Sequence, residues 1–284
     1  MLIQGISPCS HQRIQLLGSG GNYGKVFAST YIKLLHRYTF DQDSVIDFQH
    51  LTGDQAYYAY ISNEVSSGID TIGGSTFGYT CHNGAYVENG GVVFWNPGKS
   101  KFDHPDEVRP GNYVAFNHSA LLFDNFQSVS IEVWLTTGVN DNWARIFQFG
   151  PAANLGDNQN SVFLFRDARY SYICVAYVNA NLDYNGDSTW ETCSTTQFSN
   201  IHYPTHIVVT LTNNGYQELY VNGTGPFTSA FQAPLPAPNV FWMGRSFAGD
   251  SALVGTLSEL RIWGGVLSQA DVTTNFAFGP GERV

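Results

Sequence analysis

The sequence predicts an all-β chain, two antiparallel sheets packed as a sandwich behind an N-terminal extension. Three observations predict it. Short runs of branched and aromatic residues alternate with polar ones, which suits a pleated, half-buried surface. Asn-Gly and Gly-rich turn signals separate those runs. Polarity is supplied by neutral hydrogen-bonding side chains: charged residues are 13% of the 284, while aromatics are 15% and glycines number 29. An average soluble domain carries about 25% charge.

Residues 1–30 read as the extension or arm and residues 31–284 as one domain, since all-β sandwiches of this length commonly form a single unit. No acidic residue occurs before Asp41. The segment has no unbroken apolar core of the secretory kind, because Ile14–Leu17 is short and Gly18–Gly24 interrupts the run. An arm of this sort is expected to rest on something, so self-association through residues 1–30 is one expectation. The first strand lies in Tyr31–Phe40 and leads into an acidic turn with Asp41, Asp43 and Asp47. Gly68–Gly91 alternates turns with short strands, and Lys99–Gly111 is a polar loop. Tyr113–Phe116 and Leu121–Phe123 read as short strands. In Val129–Thr136, residues Val129, Ile131, Val133 and Leu135 form one apolar face, as a period of two requires. Arg145–Phe149, Ser161–Arg166 and Tyr170–Val178 follow as strands. Ile207–Leu211 and the strand through Tyr216, Leu219 and Val221 pair around Asn213-Asn214-Gly215, and Asn222-Gly223 marks a second turn, since these residues tolerate positive φ. Near the end Leu260 and Ile262 share one face. Glu259 and Arg261 share the other, opposite charged or polar cross-strand partners. Ser268, three residues before Asp271, is a helix N-cap with an acid in the first turn.

The order of elements from His206 to Asn275 resembles the closing half of a laminin-G-like or pentraxin-like jelly-roll domain, of the concanavalin A-like kind. The runs IKLLHRYTF at 32–40, VSIEVWLT at 129–136 and RIFQFG at 145–150 are similar to strand words of that family. The resemblance covers about Tyr31–Gly281. It implies a jelly-roll sandwich, an extracellular or cell- or virion-surface location, and recognition rather than transformation. It also implies a structural calcium between the acidic turn, through Asp43 and Asp47, and an Asp of the penultimate strand. Here Ser258, in Gly255–Glu259, stands at that Asp position.

Composition excludes other classes. A net charge of −10 disfavours phosphate-backbone binding, hence nucleic acid. No run of 18 apolar residues exists, so no membrane span is predicted. The jelly-roll glucanases place two carboxylates on alternate residues of one strand, as Glu-x-Asp-x-Glu, about 5 Å apart. None of the eight glutamates here is followed two residues later by Asp. A lyase using Tyr and His as base and acid is the remaining catalytic option.

A second cation site is suggested by Asp183, Asn185 and Asp187 at alternate positions, with Glu191 further on. It matches the opening ligands of a calcium loop but has Ser188 and Ser194 at the sixth and twelfth positions. A polar surface loop is the plainer alternative. Sugar binding needs aromatic rings in polar surroundings, and Trp95, Trp143, Tyr184 and Trp190 are candidates. Trp134, Trp242 and Trp263 lie in strands and read as core or half-core. Of four cysteines, Cys174 and Cys193 flank a long loop and are the expected disulfide, although three pairings are open if all four oxidise. Asn117 and Asn222 head Asn-x-Ser/Thr acceptor motifs.

The leading function is therefore non-catalytic, lectin-like recognition of a glycan or glycoprotein surface by a secreted module, with a structural calcium as the one expected cofactor. The alternative is a structural subunit of a filament, coat or virion assembled through the sandwich and the arm. A polysaccharide-cleaving enzyme stands third.

Overall fold

The computed structural model describes residues 32–40, 66–70, 74–82, 85–95, 111–116, 127–138, 143–151, 160–167, 171–178, 189–195, 204–213, 215–230, 235–236 and 238–281. Its strands are β1 (Lys33–Tyr38), β2 (Ser66–Asp70), β3 (Gly74–His82), β4 (Tyr86–Glu88), β5 (Gly91–Phe94), β6 (Tyr113–Phe116), β7 (Ser128–Thr137) and β8 (Ala144–Gly150). They continue as β9 (Ser161–Asp167), β10 (Tyr172–Val178), β11 (Thr189–Cys193), β12 (Thr205–Thr212), β13 (Tyr216–Val221), β14 (Thr224–Ala230), β15 (Val240–Met243) and β16 (Gly255–Gly264). One helix, α1 (Gln269–Phe278), follows. The extension at 1–30 and the strand expected at Leu121–Phe123 lie outside the described residues.

The strands form two eight-stranded sheets. Sheet A runs β14-β13-β12-β7-β16-β5-β4, with β1 also on β16, and sheet B runs β11-β10-β9-β8-β15-β6-β3-β2. Every named ladder is antiparallel, as in β7–β12 and β8–β9. The alternation read from the sequence decides which side chains enter the sandwich. Val129, Ile131, Val133 and Leu135 of β7 meet Ile207, Val209 and Leu211 of β12 and Leu260 and Ile262 of β16 in the main core. Sheet B adds Phe147, Phe149, Val162, Leu164, Val175 and Phe241 from its inward face. Cys81 is buried there as a free thiol, and loss of solvation pushes its pKa up to about 12, so it stays protonated.

Part of the second face of sheet A is also buried, where the segment of α1 packs against it and Ile32 and Leu34 add to the contact. Val208, Tyr220, Trp263, Leu267 and Val272 form a smaller core there. The start of α1 follows the sequence reading: Ser268 Oγ accepts the Asp271 N–H, and the Asp271 carboxylate accepts the Ser268 N–H at 2.9 Å. Between helix and sheet lies a polar layer. Glu132 of β7 is fully buried. Its Oε1 accepts from His206 Nε2 at 2.8 Å, and its Oε2 accepts from Trp263 Nε1 at 2.8 Å and Asn275 Nδ2 at 3.2 Å. Glu259 accepts from Arg37 Nε at 2.6 Å, Arg261 Nε at 2.7 Å and the Gly281 N–H at 2.6 Å. The Arg261 guanidinium lies 4.4 Å over the Trp134 ring. The polar partners expected for Glu259 and Arg261 are thus present, and Arg261 registers directly against Glu132.

At the turn expected before β13 the Gly215 N–H donates to Thr212 O at 3.1 Å, while Asn214 lies outside the described residues; the turn expected after β13 is formed. Asn222 and Gly223 hold positive φ, 49° and 74°, at the β13–β14 link. Cys174 and Cys193 occupy directly paired positions of β10 and β11, with Cα atoms 4.1 Å apart, and are joined by a disulfide. The cross-link therefore clamps an edge strand to its neighbour.

Two outcomes follow from this packing. Glu132→Ala leaves three buried donors, on His206, Trp263 and Asn275, without their acceptor and is expected to cost about 3–5 kcal/mol, read from urea unfolding. A loss under about 1 kcal/mol would show that water replaces the carboxylate. Replacing both Cys174 and Cys193 by Ala opens a loop whose ends are 19 residues apart. The expected loss is about 3 kcal/mol by chain entropy, measured by the same titration under oxidising conditions.

Candidate glycan-binding face

The outward face of sheet B gathers rings that the sequence scatters over separate strands. In β6, Val114 and Phe116 turn inward while Tyr113 turns out and stays half-buried. Likewise β15 sends Phe241 and Met243 inward and Trp242 outward, and β3 ends with Cys81 inward and His82 half-buried. His82 registers against Tyr113, and the two rings stack with centroids 4.5 Å apart. Tyr113 sits 4.8 Å from Trp242, and Trp242 meets the edge of Phe247 at 5.0 Å. The half-buried Arg245 places its guanidinium 5.3 Å from the Tyr113 ring and 5.6 Å from Trp242, within cation–π range. The result is a row of partly exposed rings with an arginine above it.

The segment 244–254 carries Arg245 and is fixed by main-chain and buried side-chain bonds. Gly244 N–H donates to Ile146 O at 3.0 Å, Leu253 N–H to Gly244 O at 2.8 Å, and Arg145 N–H to Ser251 O at 3.2 Å. The Phe247 N–H donates to Gln148 Oε1 at 3.0 Å. Gly244 has φ 90°, and a Cβ there would lie 2.6 Å from the Phe94 ring, so the loop enters through a position only glycine fills. Arg145 is buried under this loop and ion-pairs with Asp250, whose carboxylate also accepts from Ser246 Oγ at 3.0 Å. Its guanidinium lies 3.8 Å over Phe163. Burial lowers the Arg145 pKa, and the Asp250 charge beside it opposes that shift.

The candidates from the sequence fall unevenly on this framework. Trp143 is half-buried on the same outward face, stacked on Phe165 with centroids 4.7 Å apart, and its carbonyl accepts from Arg145 Nη1. Trp95 follows β5 and is exposed. Trp190 stands in β11 opposite Tyr177, a strand position rather than a loop. Tyr184, Asn117, Asp43, Asp47, Asp183, Asn185 and Asp187 lie outside the described residues. Trp242, read from the sequence as core or half-core, is the centre of the ring row. His82, Tyr113 and Arg245 carried no local signal, although the outward parity of Tyr113 and Trp242 was readable from their apolar neighbours.

Of the residues suggested as calcium ligands, Glu191 is the one among the described residues. Glu259, beside Ser258, has its carboxylate filled by two arginines and a backbone N–H. Glu191 is an exposed residue of β11, and its nearest potential metal donors are Cys174 and Cys193, whose sulfurs are bonded to each other.

The family model of the concanavalin A-like lectin/glucanase superfamily matches residues 109–273, more than half of the chain. The chain belongs to that superfamily. Within this concanavalin A-like frame, two solved structures have comparable folds. The binding domain of botulinum neurotoxin DC in complex with SialylT aligns with a TM-score of 0.52 at 11% identity. A botulinum neurotoxin type C structure, whose cell entry depends on interaction with two ganglioside molecules, gives 0.51 at 12%. Each covers 74% of this chain, and this chain spans 48% of each, about half their length. The carbohydrate-binding module of a Ruminococcus gnavus IT-sialidase, bound to α2,3-sialyllactose, matches at 13% identity with a TM-score of 0.47 over 65% of this chain and 94% of its own. A comparison with curated proteins finds no match. Among the described residues no helix is long and apolar enough to cross a membrane.

Asp250→Ala leaves Arg145 buried without its ion-pair partner. The expected loss is about 3–5 kcal/mol in thermal or urea unfolding, with local exposure of 244–254 in amide exchange. A stable variant with unchanged exchange would show that the backbone bonds alone hold the loop.

Proposed function

We propose that this chain is a non-catalytic glycan-recognition module whose ligand lies across Tyr113 and Trp242, with Arg245 as hydrogen-bond donor. The observation that carries the reading is the ring row itself: aromatic side chains on an outward sheet face, partly exposed, fixed by stacking on one another and joined by a guanidinium. Sugar rings present apolar C–H faces that stack on such rings, while their hydroxyls need donors and acceptors fixed in place. Stacked neighbours hold Tyr113 and Trp242 before any ligand arrives, which lowers the ordering cost of binding. The folds compared above include domains crystallised with, or dependent on, sialylated or ganglioside glycans. That supports a sandwich of this kind as a platform for glycans. Absence of the Glu-x-Asp-x-Glu strand pattern supports recognition over hydrolysis. An extracellular or surface location accords with the cross-strand disulfide, which persists in oxidising compartments.

A broad glycan array identifies the ligand, and calorimetry with the best binder tests the site. Trp242→Ala and Arg245→Ala are each expected to weaken binding at least about tenfold, equivalent to about 1.4 kcal/mol. Thermal unfolding confirms that the variants are folded, because Trp242 also packs on Phe247. The reading fails if no glycan binds, or if folded variants at both positions bind as tightly as the parent chain.

A further inference from the structure

The hairpin between β13 and β14 presents an Asn-x-Thr acceptor motif. Asn222-Gly223-Thr224 forms the tip of the β13–β14 hairpin, and both Asn222 and Thr224 are exposed. Asn222 is held by its backbone N–H, which donates to His206 O at 2.8 Å, and by Oδ1, which accepts from the His206 N–H at 3.0 Å. Both bonds use atoms that an N-linked sugar leaves intact. Oδ1 is thus engaged, while among the described residues Nδ2, the atom that would carry the sugar, has no hydrogen-bond partner.

Beside this tip lies an exposed aromatic ring. Phe276, near the end of α1, is 42% exposed, although His206 stacks against it at 5.8 Å. It borders the turn so closely that a Cβ on Gly223 would stand 3.1 Å from its ring, and Gln269 Nε2 ties the same turn to the helix through Gly223 O at 2.7 Å. A large ring left half in water next to an accessible amide nitrogen is a surface that an attached sugar can cover.

We propose that Asn222 carries an N-linked glycan whose first sugar packs on Phe276. Attachment transfers the sugar from a polyprenyl-diphosphate-linked oligosaccharide. The bond from C1 to the diphosphate oxygen breaks, the bond from C1 to Asn222 Nδ2 forms, the amide loses one proton and the diphosphate leaves. Thr224 supplies the hydroxyl that the Asn-x-Thr acceptor motif requires.

The experiment secretes the whole chain from a eukaryotic host and maps its peptides by mass spectrometry. The peptide containing Asn222 is expected to carry a hexosamine-based glycan, absent from Thr224→Ala, which keeps Asn222 and its bonds to His206. The covering role is read from a cycle of melting temperatures. Thr224→Ala is expected to lower the melting temperature by about 2 °C, the size of a modest contact in a chain of this length, and to have no effect when Phe276→Ala is already present. A folded, secreted chain with unmodified Asn222 overturns the proposal. A glycan whose loss has the same effect with and without Phe276 overturns the contact. Occupancy is measured on the unaltered sequence, so that result does not depend on either variant folding.

Discussion

The Glu132 carboxylate is the constraint on which sheet A depends. It stands in β7, the strand between β12 and β16, and draws one donor from each neighbour and one from α1: His206, Trp263 and Asn275. A buried carboxylate is tolerable only when its acceptor capacity is filled. Each of those elements is therefore held in one register, because a one-residue slip in β12 or β16 would turn its donor to the opposite face. The helix is held by the same condition. Apolar burial at Leu267 and Val272 attracts α1 to the sheet, but Asn275 reaching Glu132 fixes where along the sheet it stops.

A comparable device works on sheet B. Arg145 is buried beneath 244–254, faces the Phe163 ring and pairs with Asp250 from the loop. One buried charge satisfied from the loop holds a segment that begins at Gly244, where no side chain fits. Arg245 is the next residue along, so the loop's anchorage and the placement of its half-buried guanidinium are parts of one structure. Order in the ring row comes from its framework rather than from the ligand.

Local rules were legible in the sequence where they leave local marks. Asn222-Gly223 demands positive φ, Ser268 and Asp271 sit at capping distance, and the β7 apolar residues keep a strict period of two; all three are realised. The disulfide was legible because its partners bracket a single hairpin. The polar layer was not, since Glu132 finds His206 and Asn275 across 74 and 143 residues and no spacing rule links them. Trp242 showed a similar limit. Trp242 reads as core or half-core and is half-buried, but only the pairing of β15 with β6 and β8 shows that its face carries Tyr113 as neighbour. Glu259 and Arg261 were legible as a polar pair on one face of the strand, though not that Arg37 would join them.

The outward faces of the two sheets are filled differently. A sandwich has two such faces, and burying both would leave binding to the loops alone. Sheet A gives up part of its outward face to α1 and fills it with Glu132, Glu259 and Arg261, all fully buried. That second core adds to the main one without enlarging the sandwich. Sheet B can then leave Tyr113, Trp242 and Arg245 partly in water at little cost to the fold, because their stacking contacts do not contribute to the main core. Sheet B's outward face is mixed: Phe163, Phe165, Cys174 and Ala176 are buried on one part of it, while Tyr113, Trp242 and Arg245 stay half-buried on another.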